Sequence, residues 1–383
     1  MITTPITHDL VDGVAELELV ERGMRLHRLP RRVRERDADA QLSLVEAQPS
    51  GARVAVTTDA SRLELDVHAT RIGYRMMPRP RGVIDVVVDG VPLRSHTLTA
   101  GDAVEIDPST GARSSTPGGT DTIVLDELPP GPKTIELWLP HNETVDLVGL
   151  RSDAPVEPAP RTGRLWVHHG SSISQGSNAT HPTGIWPVVA ARRAGVRLRN
   201  LGFGGSALVD PFLARVIRDA PADLISVKLG INVVNLDAMR ERSFVSAVHG
   251  FLDTIRDGHP TTPLLLVSPL HCGIHEETPG PGAIDPASIG GGPVRFIATG
   301  DHGDTAQGRL TLQVIRDALV EVVASRRDDP HLHSLDGRTV YGASDAEHHP
   351  LPDALHPDSE THRLIGDRFV DLAFAPTGAF AGA

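Results

Sequence analysis

The first third of the chain alternates apolar and polar positions over short stretches. The run Leu63-Glu64-Leu65-Asp66-Val67 shows this period of two, and turn-forming pairs such as Asp89-Gly90 separate one stretch from the next. A period of two is typical of a β-strand with one face in a core and the other in solvent. The pattern predicts strands over residues 52–56, 62–67, 82–89, 122–126 and 134–139. Short strands at this spacing favour an antiparallel β-sandwich.

A proline-rich stretch follows the last of these strands. Three prolines stand within residues 152–160, so this stretch cannot form a central strand and is predicted to be a linker. The sandwich is expected to end near Leu150. We therefore predict a β-sandwich accessory domain over residues 1–158 and a second domain over residues 159–383.

The second domain alternates short apolar runs with longer stretches of helical period. Strands are predicted over residues 164–168, 196–201, 224–229, 263–267 and 332–335, and helices over residues 186–194, 211–219, 243–257, 310–326 and 360–372. Such alternation is typical of crossover units, in which helices cover both faces of a parallel sheet. The predicted fold class is therefore α/β, with an antiparallel sandwich followed by a parallel-sheet domain.

Residues 276–307 do not fit this alternation. They are rich in glycine and proline and acidic, and we predict a segment without regular structure that acts as a lid or a mobile loop. Gly280 and the run Gly290-Gly291-Gly292 are the expected hinges. A dry face for a lid would come from the apolar residues of the segment, which are Ile284, Ile289, Val294 and Phe296.

Composition and charge exclude several classes of protein. Of the 383 residues 39% are hydrophobic and 22% charged, which suffices for a packed core, and the formal charge of −12 argues against a nucleic-acid partner. A single cysteine excludes an intrachain disulfide. No apolar run reaches the roughly 18 residues of a membrane span, and the first residues lack a signal-peptide pattern. We expect a cytoplasmic protein without a membrane partner, and the oligomeric state stays open.

Several conspicuous residues have an unremarkable explanation. The 19 histidines show no recognised zinc spacing, so we expect no catalytic metal and place His168 and His169 at a strand end beneath the site. Trp186 is expected in the core. Lys228 is expected at an exposed strand end, with binding of an anionic substrate group as the alternative. Cys272 is expected to be buried and without a role.

Four short stretches at predicted strand ends carry candidate chemistry. In Gly170-Ser171-Ser172-Ile173-Ser174-Gln175-Gly176, a serine at a strand-to-helix turn can expose its hydroxyl beside free backbone N–H groups, although a helix cap explains it equally well. The glycines of Asn200-Leu201-Gly202-Phe203-Gly204-Gly205 permit close approach to a ligand or form a plain turn. In Gly230-Ile231-Asn232, the asparagine amide can donate to an oxyanion or simply close a turn.

The fourth stretch is Asp353-Ala354-Leu355-His356. A carboxylate three residues before a histidine can accept from Nδ1–H and turn Nε2 toward a nucleophile, although alone this pattern is most often a solvated turn. Ligands of open α/β sheets bind outside the carboxyl ends of the strands, where all four stretches are predicted to lie. Together they fill the roles of an acyl-transfer site.

The order and spacing of these stretches resemble the SGNH hydrolase superfamily, also called the GDSL esterases, over about residues 163–375. The resemblance implies a flavodoxin-like α/β/α domain with a Ser-His-Asp triad. It assigns the nucleophile, the orienting acid and the base to Ser172, Asp353 and His356. It assigns the oxyanion hole to the N–H groups of Ser172 and Gly205 and the amide of Asn232.

Two positions depart from the family pattern. The family's aspartate before the nucleophile is Ser171 here, and the aspartate that follows the block asparagine is Val233. Both family residues are commonly structural, so the chemistry survives. The two adjacent serines leave the nucleophile ambiguous, and the register Gly-x-Ser-Ile favours Ser172.

The resemblance implies a reaction through an acyl-serine. Water makes such an enzyme a hydrolase and an alcohol makes it a transferase, and the triad cannot choose between them. A sandwich followed by a domain that begins Gly-Ser-Ser-Ile resembles a subset of the superfamily, which favours transfer of an aryl acyl group from acyl-CoA to a polyketide hydroxyl without a tightly bound cofactor. An esterase or carbohydrate deacetylase is the alternative. A binding module built on the sandwich is the non-enzymatic alternative, and the presence of Ser172, Asp353 and His356 argues against it.

Overall fold

The computed structural model describes residues 1–75, 79–107, 110–289 and 294–382. The chain forms two compact units, the first built from Met1–Thr162 and Thr180–Thr183, the second from Gly163–Ala179 and Gly184–Ala383. None of the helices in the described ranges is long and apolar enough to cross a bilayer.

Two β-sheets form the first unit. Its strands are β1 Ile2–Thr4, β2 Val11–Asp12, β3 Glu16–Val20, β4 Gly23–His27, β5 Arg53–Thr58, β6 Leu63–Tyr74, β7 Val83–Val88, β8 Val91–Thr97, β9 Asp102–Ile106, β10 Arg113–Thr116, β11 Asp121–Leu125, β12 Lys133–Trp138, β13 Thr144–Ser152 and β14 Val156–Pro158, and its helices are α1 Arg31–Arg36 and α2 Ala40–Glu46. One sheet has the order β10-β9-β6-β13-β4-β3 with β1 beside β13 and β11 beside β6. The other has the order β14-β5-β12-β7-β8 with β2 beside β5.

The core of the first unit lies between these sheets, on the faces that the alternating pattern selects. Leu63, Leu65 and Val67 of β6 are fully buried against apolar side chains of β5, β7 and β12. Burying one such side chain contributes about 2 kcal/mol. The predicted antiparallel β-sandwich is confirmed, and the described pairs include one exception to its direction, since β6 runs parallel to β9.

The linker prediction for residues 152–160 was wrong in part. Val156–Pro158 forms β14, which pairs with β5 at the edge of its sheet. An edge strand accepts a proline because one row of its backbone groups has no strand to pair with.

A parallel sheet forms the centre of the second unit. Its strands are β15 Leu165–Gly170, β16 Arg197–Gly202, β17 Leu224–Lys228, β18 Leu264–Val267 and β21 Leu332–Leu335, while β19 Gly282–Ile284 and β20 Phe296–Ala298 form a separate hairpin. Its helices are α3 Ser172–Gln175, α4 Trp186–Ala194, α5 Pro211–Asp219, α6 Ile231–Asn235, α7 Glu241–Gly258, α8 Leu312–Ala324, α9 Gly337–Val340, α10 Ala343–His348 and α11 Ser359–Ala373. The five strands of the parallel sheet have the order β16-β15-β17-β18-β21, which is the 2-1-3-4-5 order of flavodoxin-like sheets. The predicted α/β fold is confirmed.

An aromatic cluster fixes α4 and α11 on one face of this sheet. Trp166 on β15 stacks on Phe369 of α11 at 5.2 Å between ring centroids, and Trp186 of α4 contacts the same ring at 5.1 Å. All three side chains are buried. The prediction that Trp186 belongs to the core is confirmed.

Residues 276–307 contain regular structure that the sequence did not predict. Strand β19 pairs antiparallel with β20, Ile284 lying opposite Phe296, and short 3₁₀ helices cover Pro286–Ser288 and His302–Gln307. The prediction of a structureless segment was therefore wrong. The expected hinge Gly290-Gly291-Gly292 lies outside the described residues.

Candidate active site

The first element of the site is the turn from β15 into α3, which begins at Ser172. Two glycines at strand ends let this short helix lie directly against the sheet. A Cβ at Gly170 would come within 2.3 Å of the Ser174 hydroxyl, and a Cβ at Gly202 within 2.6 Å of the Gln175 backbone nitrogen. Any larger residue at either position would push α3 away from the strand ends.

Ser172, His356 and Asp353 form a continuous hydrogen-bonded chain. Ser172 Oγ lies 2.9 Å from His356 Nε2, and His356 Nδ1 lies 2.8 Å from Asp353 Oδ2. A neutral ring that donates from Nδ1 to the carboxylate has Nε2 free to accept the serine proton. This arrangement can remove a proton from Ser172 and stabilise the imidazolium that results.

The turn of residues 353–356, called here the acid–base turn, holds its own carboxylate in place. Asp353 Oδ1 accepts from the N–H groups of Leu355 at 2.9 Å and His356 at 2.6 Å. Burial alone would raise the pKa of Asp353, but the hydrogen bonds and charge of His356 and the bond from the Leu355 N–H outweigh it and keep that pKa below its usual value. The aspartate therefore stays ionised near pH 7.

The geometry distinguishes between the two adjacent serines. The Ser172 hydroxyl is partly exposed and reaches the imidazole, whereas Ser171 is fully buried as the N-cap residue of α3. The buried Ser171 Oγ has no hydrogen-bond partner among the described residues. Ser172 is accordingly the serine that the histidine can activate, as the register predicted.

The glycine stretch lies beside Ser172. A Cβ at Gly204 would lie 3.6 Å from the Ser172 Cβ, which brings the turn after β16 against α3. Gly204 donates its N–H to Gln175 Oε1 at 2.7 Å, and Gly205 follows with a φ of 72° that favours glycine. Ser172 is the first residue of its helix, so its own N–H lacks an intrahelical acceptor.

Asn232 lies on the first turn of α6, directly after β17. Its Oδ1 accepts the N–H of Ala207 at 3.2 Å. The side-chain carbonyl oxygen therefore faces the residues just after the glycine stretch, and the NH₂ group points away from Ala207. Gly230 precedes this helix at a φ of 125°, and a Cβ there would lie within 3.0 Å of Pro269 and Ile315. The glycine turn thus packs on Ser172, and Asn232 is hydrogen-bonded to Ala207, two residues after that turn.

A buried polar network supports α3 from below. Trp166 Nε1–H donates to Ser226 Oγ at 2.8 Å, Ser226 lies 2.7 Å from His168 Nδ1, and His168 Nε2 lies 2.8 Å from Ser174 Oγ. The indole nitrogen can only donate, whereas the direction of the two His168 bonds is set by which ring nitrogen carries the proton. Asn200 Nδ2 also donates to the Ser174 carbonyl at 2.8 Å. The sequence analysis did not predict this network.

Both histidines at the end of β15 are fully buried and uncharged. Burial, and next the nearby Lys228, hold the pKa of His168 well below its usual value. Burial lowers the pKa of His169 to about 4, while its Nδ1 donates to the Leu201 carbonyl at 2.7 Å. No group of three His, Cys, Asp or Glu side chains that could hold a metal occurs in the part of the chain that the structure describes.

Two further single-residue predictions have different outcomes. Lys228 is 4% exposed and burial lowers its pKa to about 8, so the predicted exposed strand end was wrong: the residue ends β17, which has a neighbouring strand on either side. Cys272 is buried as predicted, and its thiol donates to the Ala354 carbonyl at 3.5 Å. Burial raises the pKa of this thiol to about 12.

Asn178 and Phe296 contact the acid–base turn, and the sequence analysis did not predict either contact. Asn178 Nδ2 donates to Asp353 Oδ2 at 3.0 Å. Phe296 of β20 donates its backbone N–H to the Asp353 carbonyl at 2.8 Å, and its ring meets the His356 ring edge-on at 5.7 Å. Phe296 had been predicted only as one apolar member of a lid, and no local motif marks Asn178.

The segment that carries Phe296 also contacts α6. A Cβ at Gly280 would lie 1.8 Å from the Val234 carbonyl oxygen, and one at Gly282 would lie 2.0 Å from Asn235 Oδ1. His275 Nε2 lies 3.3 Å from the same Asn235 oxygen. Residues 276–307 therefore pack on both the acid–base turn and the helix that carries Asn232.

Comparison with known proteins agrees with this geometry. Residues 164–274, which lie in the second unit, match the model of the GDSL-like Lipase/Acylhydrolase family. No curated protein matches the sequence.

Solved structures extend the likeness to nearly the whole chain. The salicylyl-acyltransferase SsfX3 from a tetracycline biosynthetic pathway is 26% identical with a TM-score of 0.79, over 96% of this chain and 95% of that one. A GDSL-like lipase from Bacteroides ovatus is 18% identical with a TM-score of 0.62, over 94% and 92%. A family two carbohydrate esterase from Clostridium thermocellum is 15% identical with a TM-score of 0.55, over 84% and 91%.

Proposed function

We propose that the second unit catalyses serine-dependent acyl transfer through an acyl enzyme on Ser172. The observation that carries the proposal is the hydrogen-bonded chain from Ser172 through His356 to Asp353. His356 Nε2 takes the hydroxyl proton as Ser172 Oγ attacks an ester or thioester carbonyl, and the Asp353 carboxylate stabilises the imidazolium. The leaving alcohol or thiol then receives that proton, and the acyl group stays on Ser172.

The negative charge of the tetrahedral intermediate needs donors that are already in place. We assign them to the N–H groups of Ser172 and Gly205 and to the NH₂ group of Asn232. Support comes from the first-turn position of Ser172, from the packing of the glycine turn on α3, and from the Ala207 bond that fixes the asparagine amide. Donors of this kind act on charge that develops only in the transition state.

The second half-reaction decides between transferase and hydrolase. We infer transfer, in which a substrate hydroxyl attacks the acyl-serine and His356 accepts its proton. The donor would be an aryl acyl-CoA, such as the salicylyl thioester, and the acceptor a hydroxyl of a polyketide of the tetracycline type. The likeness to SsfX3 over both units supports this choice. The enzyme would act in the cytoplasm on small molecules without a tightly bound cofactor.

Hydrolysis of carbohydrate or other small esters is the alternative function. A carbohydrate esterase shares the fold, and the same triad serves both reactions. The hairpin on the acid–base turn favours transfer, because transfer to a dilute alcohol requires that water be kept from the acyl-serine.

Intact-mass spectrometry tests the proposal directly. The protein is mixed with salicylyl-CoA, acetyl-CoA, p-nitrophenyl acetate or an acetylated xylo-oligosaccharide, quenched in acid and weighed, and peptide mapping locates any adduct. We expect a salicylyl adduct on Ser172 that a polyketide hydroxyl discharges faster than water does. An acetyl adduct from the oligosaccharide alone, discharged by water, would establish the esterase instead.

Ser172→Ala is the matched control for this experiment. It should take up no acyl group from any donor while Ser171 is intact. A persistent adduct in Ser172→Ala would show that another residue is the nucleophile. The absence of any adduct in the unaltered protein would contradict the acyl-enzyme mechanism.

A further inference from the structure

The Asp353 carboxylate accepts four hydrogen bonds from described residues. Three donors belong to the acid–base turn itself, namely the two backbone N–H groups at Oδ1 and His356 Nδ1 at Oδ2. The fourth donor, Asn178 Nδ2, comes from far along the chain and meets Oδ2 at 3.0 Å. Bonds within one turn move with that turn, so they cannot fix its position relative to the nucleophile. The bond from Asn178 can.

Asn178 lies on the turn that follows the nucleophile helix. The Ser172 carbonyl accepts from the N–H groups of Gly176 and Ser177 at 2.9 and 3.0 Å, and Ala179 N–H donates to the Gly176 carbonyl at 3.0 Å. On the other side, His362 Nε2 donates to the Ser177 carbonyl at 3.0 Å. The backbone that carries Asn178 is thus tied to Ser172 within one helical turn.

The backbone conformation at this position restricts which residues fit. Asn178 has a φ of 67°, in the left-handed region that asparagine, aspartate and glycine adopt more easily than other residues. Its side chain is exposed while the next residue, Ala179, is buried. The amide therefore projects from a fixed turn and reaches the carboxylate across the site.

We propose that Asn178 is a positioning residue, which fixes the Asp353 carboxylate relative to Ser172 and so sets the Ser172–His356 distance. The inference rests on the proposed function, because it assigns to Asn178 an effect on the activated serine. It closes a ring of contacts that runs from Ser172 through His356, Asp353 and Asn178 back to α3.

The left-handed conformation determines the choice of test variants. Alanine would strain the backbone at a φ of 67°, so Asn178→Gly is the variant that removes the amide alone. Asn178→Asp keeps the size and tolerates the conformation but replaces the donor by a second carboxylate. Ser177→Ala is the matched control on the same turn, since none of the described residues is hydrogen-bonded to its hydroxyl.

A fluorophosphonate probe reports the reactivity of Ser172 without a known substrate. Ser172 Oγ attacks phosphorus, fluoride leaves and His356 accepts the hydroxyl proton, so the labelling rate follows the neutral imidazole. We expect Asn178→Gly to label about tenfold more slowly at pH 8, in line with the loss of one hydrogen bond to a charged group. Ser177→Ala should label at the unaltered rate.

The pH dependence of labelling separates positioning from a loss of fold. The titratable groups around the acid–base pair include His362 on α11 with Asp358 before it, and Cys272 after β18 with Glu276 beside it. Burial lowers the pKa of His362 to about 4 and raises that of Cys272 to about 12, so both are uncharged near pH 7. A carboxylate at position 178 adds negative charge beside the pair, so the acid limb of Asn178→Asp should move up by about one pH unit.

Three outcomes decide the matter. Slower labelling of Asn178→Gly together with the shifted acid limb of Asn178→Asp supports the inference, provided both variants unfold at the temperature of the unaltered protein. Unaltered rates and pH profiles in both variants overturn the inference while the acyl-enzyme proposal stands. If the probe fails to label Ser172 in the unaltered protein, the proposed function falls and this inference falls with it.

Discussion

The nucleophile and the acid–base pair are held by different kinds of neighbours. Around α3 the supports are buried and uncharged: His168 Nε2 is hydrogen-bonded to the Ser174 hydroxyl, Asn200 donates to the Ser174 carbonyl and His362 donates to the Ser177 carbonyl. Around Asp353 the supports are N–H donors gathered on an ionised carboxylate. The position of the serine is therefore set by the core of the second unit, whereas the acid–base turn is set by local geometry and by residues that reach it from outside.

The largest expected effect comes from breaking the hydrogen-bonded chain that joins Ser172 to His356 and Asp353. Ser172→Ala or His356→Ala should lower turnover by about 10⁴- to 10⁶-fold, because triad residues act as a unit. Asp353→Asn should cost about 10⁴-fold, because an amide there favours the ring tautomer with its proton on Nε2, which cannot accept the Ser172 proton. Steady-state kinetics on p-nitrophenyl acetate checks this, with circular dichroism to show that the fold is unchanged. Near-normal turnover of Ser172→Ala would place the nucleophile at Ser171.

Acid should weaken the nucleophile's side of the site first. The pKa values of His169 and His362 are about 4 in the folded protein, below the roughly 6.5 of an unfolded chain, because burial disfavours the charged rings. Their stabilising contribution is complete above pH 6.5 and is lost as pH falls toward 4. At pH 5 the lowered pKa of each ring should reduce the free energy of unfolding by about 2 kcal/mol relative to neutral pH.

Urea unfolding at pH 7.5 and pH 5 measures this loss. In His362→Gln, a side chain that can keep both hydrogen bonds without titrating, the difference between the two pH values should shrink by about 2 kcal/mol, the share of one ring. Asp353 should contribute to stability over a different pH range. Because its carboxyl pKa is lowered in the folded protein, its stabilising contribution is lost only near and below pH 4. Equal stability at pH 7.5 and pH 5 would contradict the contrast between the two sides.

Replacing Asn232 on α6, the proposed oxyanion donor, should lower turnover less than replacing a triad residue. Asn232→Ala should lose about 10²- to 10³-fold in kcat, or about 3 to 4 kcal/mol, with little change in KM. Asn235→Ala, at the other end of the same helix, is the control and should keep its kcat. A change mainly in KM would instead assign Asn232 to substrate binding in the ground state.

The smallest expected effect concerns the hairpin on the acid–base turn. Phe296→Ala removes the ring beside His356 but keeps the backbone bond to Asp353, so the hairpin should stay in place. We expect hydrolysis of the acyl enzyme to rise about three- to tenfold relative to transfer, because water gains access to the acyl-serine. Product ratios measured with a fixed alcohol acceptor check this.

The exposed Ile289→Ala, on the same segment, is the control for the hairpin experiment. Shortening residues 276–307 to a brief linker should change the product ratio further in the same direction. A constant ratio of transfer to hydrolysis in a folded variant would show that the segment does not shield the acyl group.

The sequence predicted the parts of the molecule that local patterns encode. The five strands of the parallel sheet and the helices α4, α5, α7, α8 and α11 lie within two residues of their predicted bounds, because each carries a clear period, whereas the short helices α6, α9 and α10 were not predicted. The serine, glycine, asparagine and Asp-x-x-His stretches were found because each keeps its residues within one turn. Their convergence followed from the strand order of a parallel sheet.

What the sequence could not show depends on packing between distant segments. Asn178 and Phe296 meet the acid–base turn only in the folded chain, and neither belongs to a motif. The three-residue strands β19 and β20 are too short to display a period. Lys228 was placed at an exposed end because the apolar run alone does not reveal that its strand lies inside the sheet.

The single cysteine allows opening of the acid–base turn to be measured. Cys272 is the only thiol in the chain, and it is buried with its Sγ against the carbonyl of Ala354. With a thiol pKa of about 12 and no access to solvent, it cannot react with an aromatic disulfide while the turn is closed. At reagent concentrations where labelling no longer becomes faster, the labelling rate of the unaltered protein is therefore the rate at which this part of the site opens, measured without adding a single probe group.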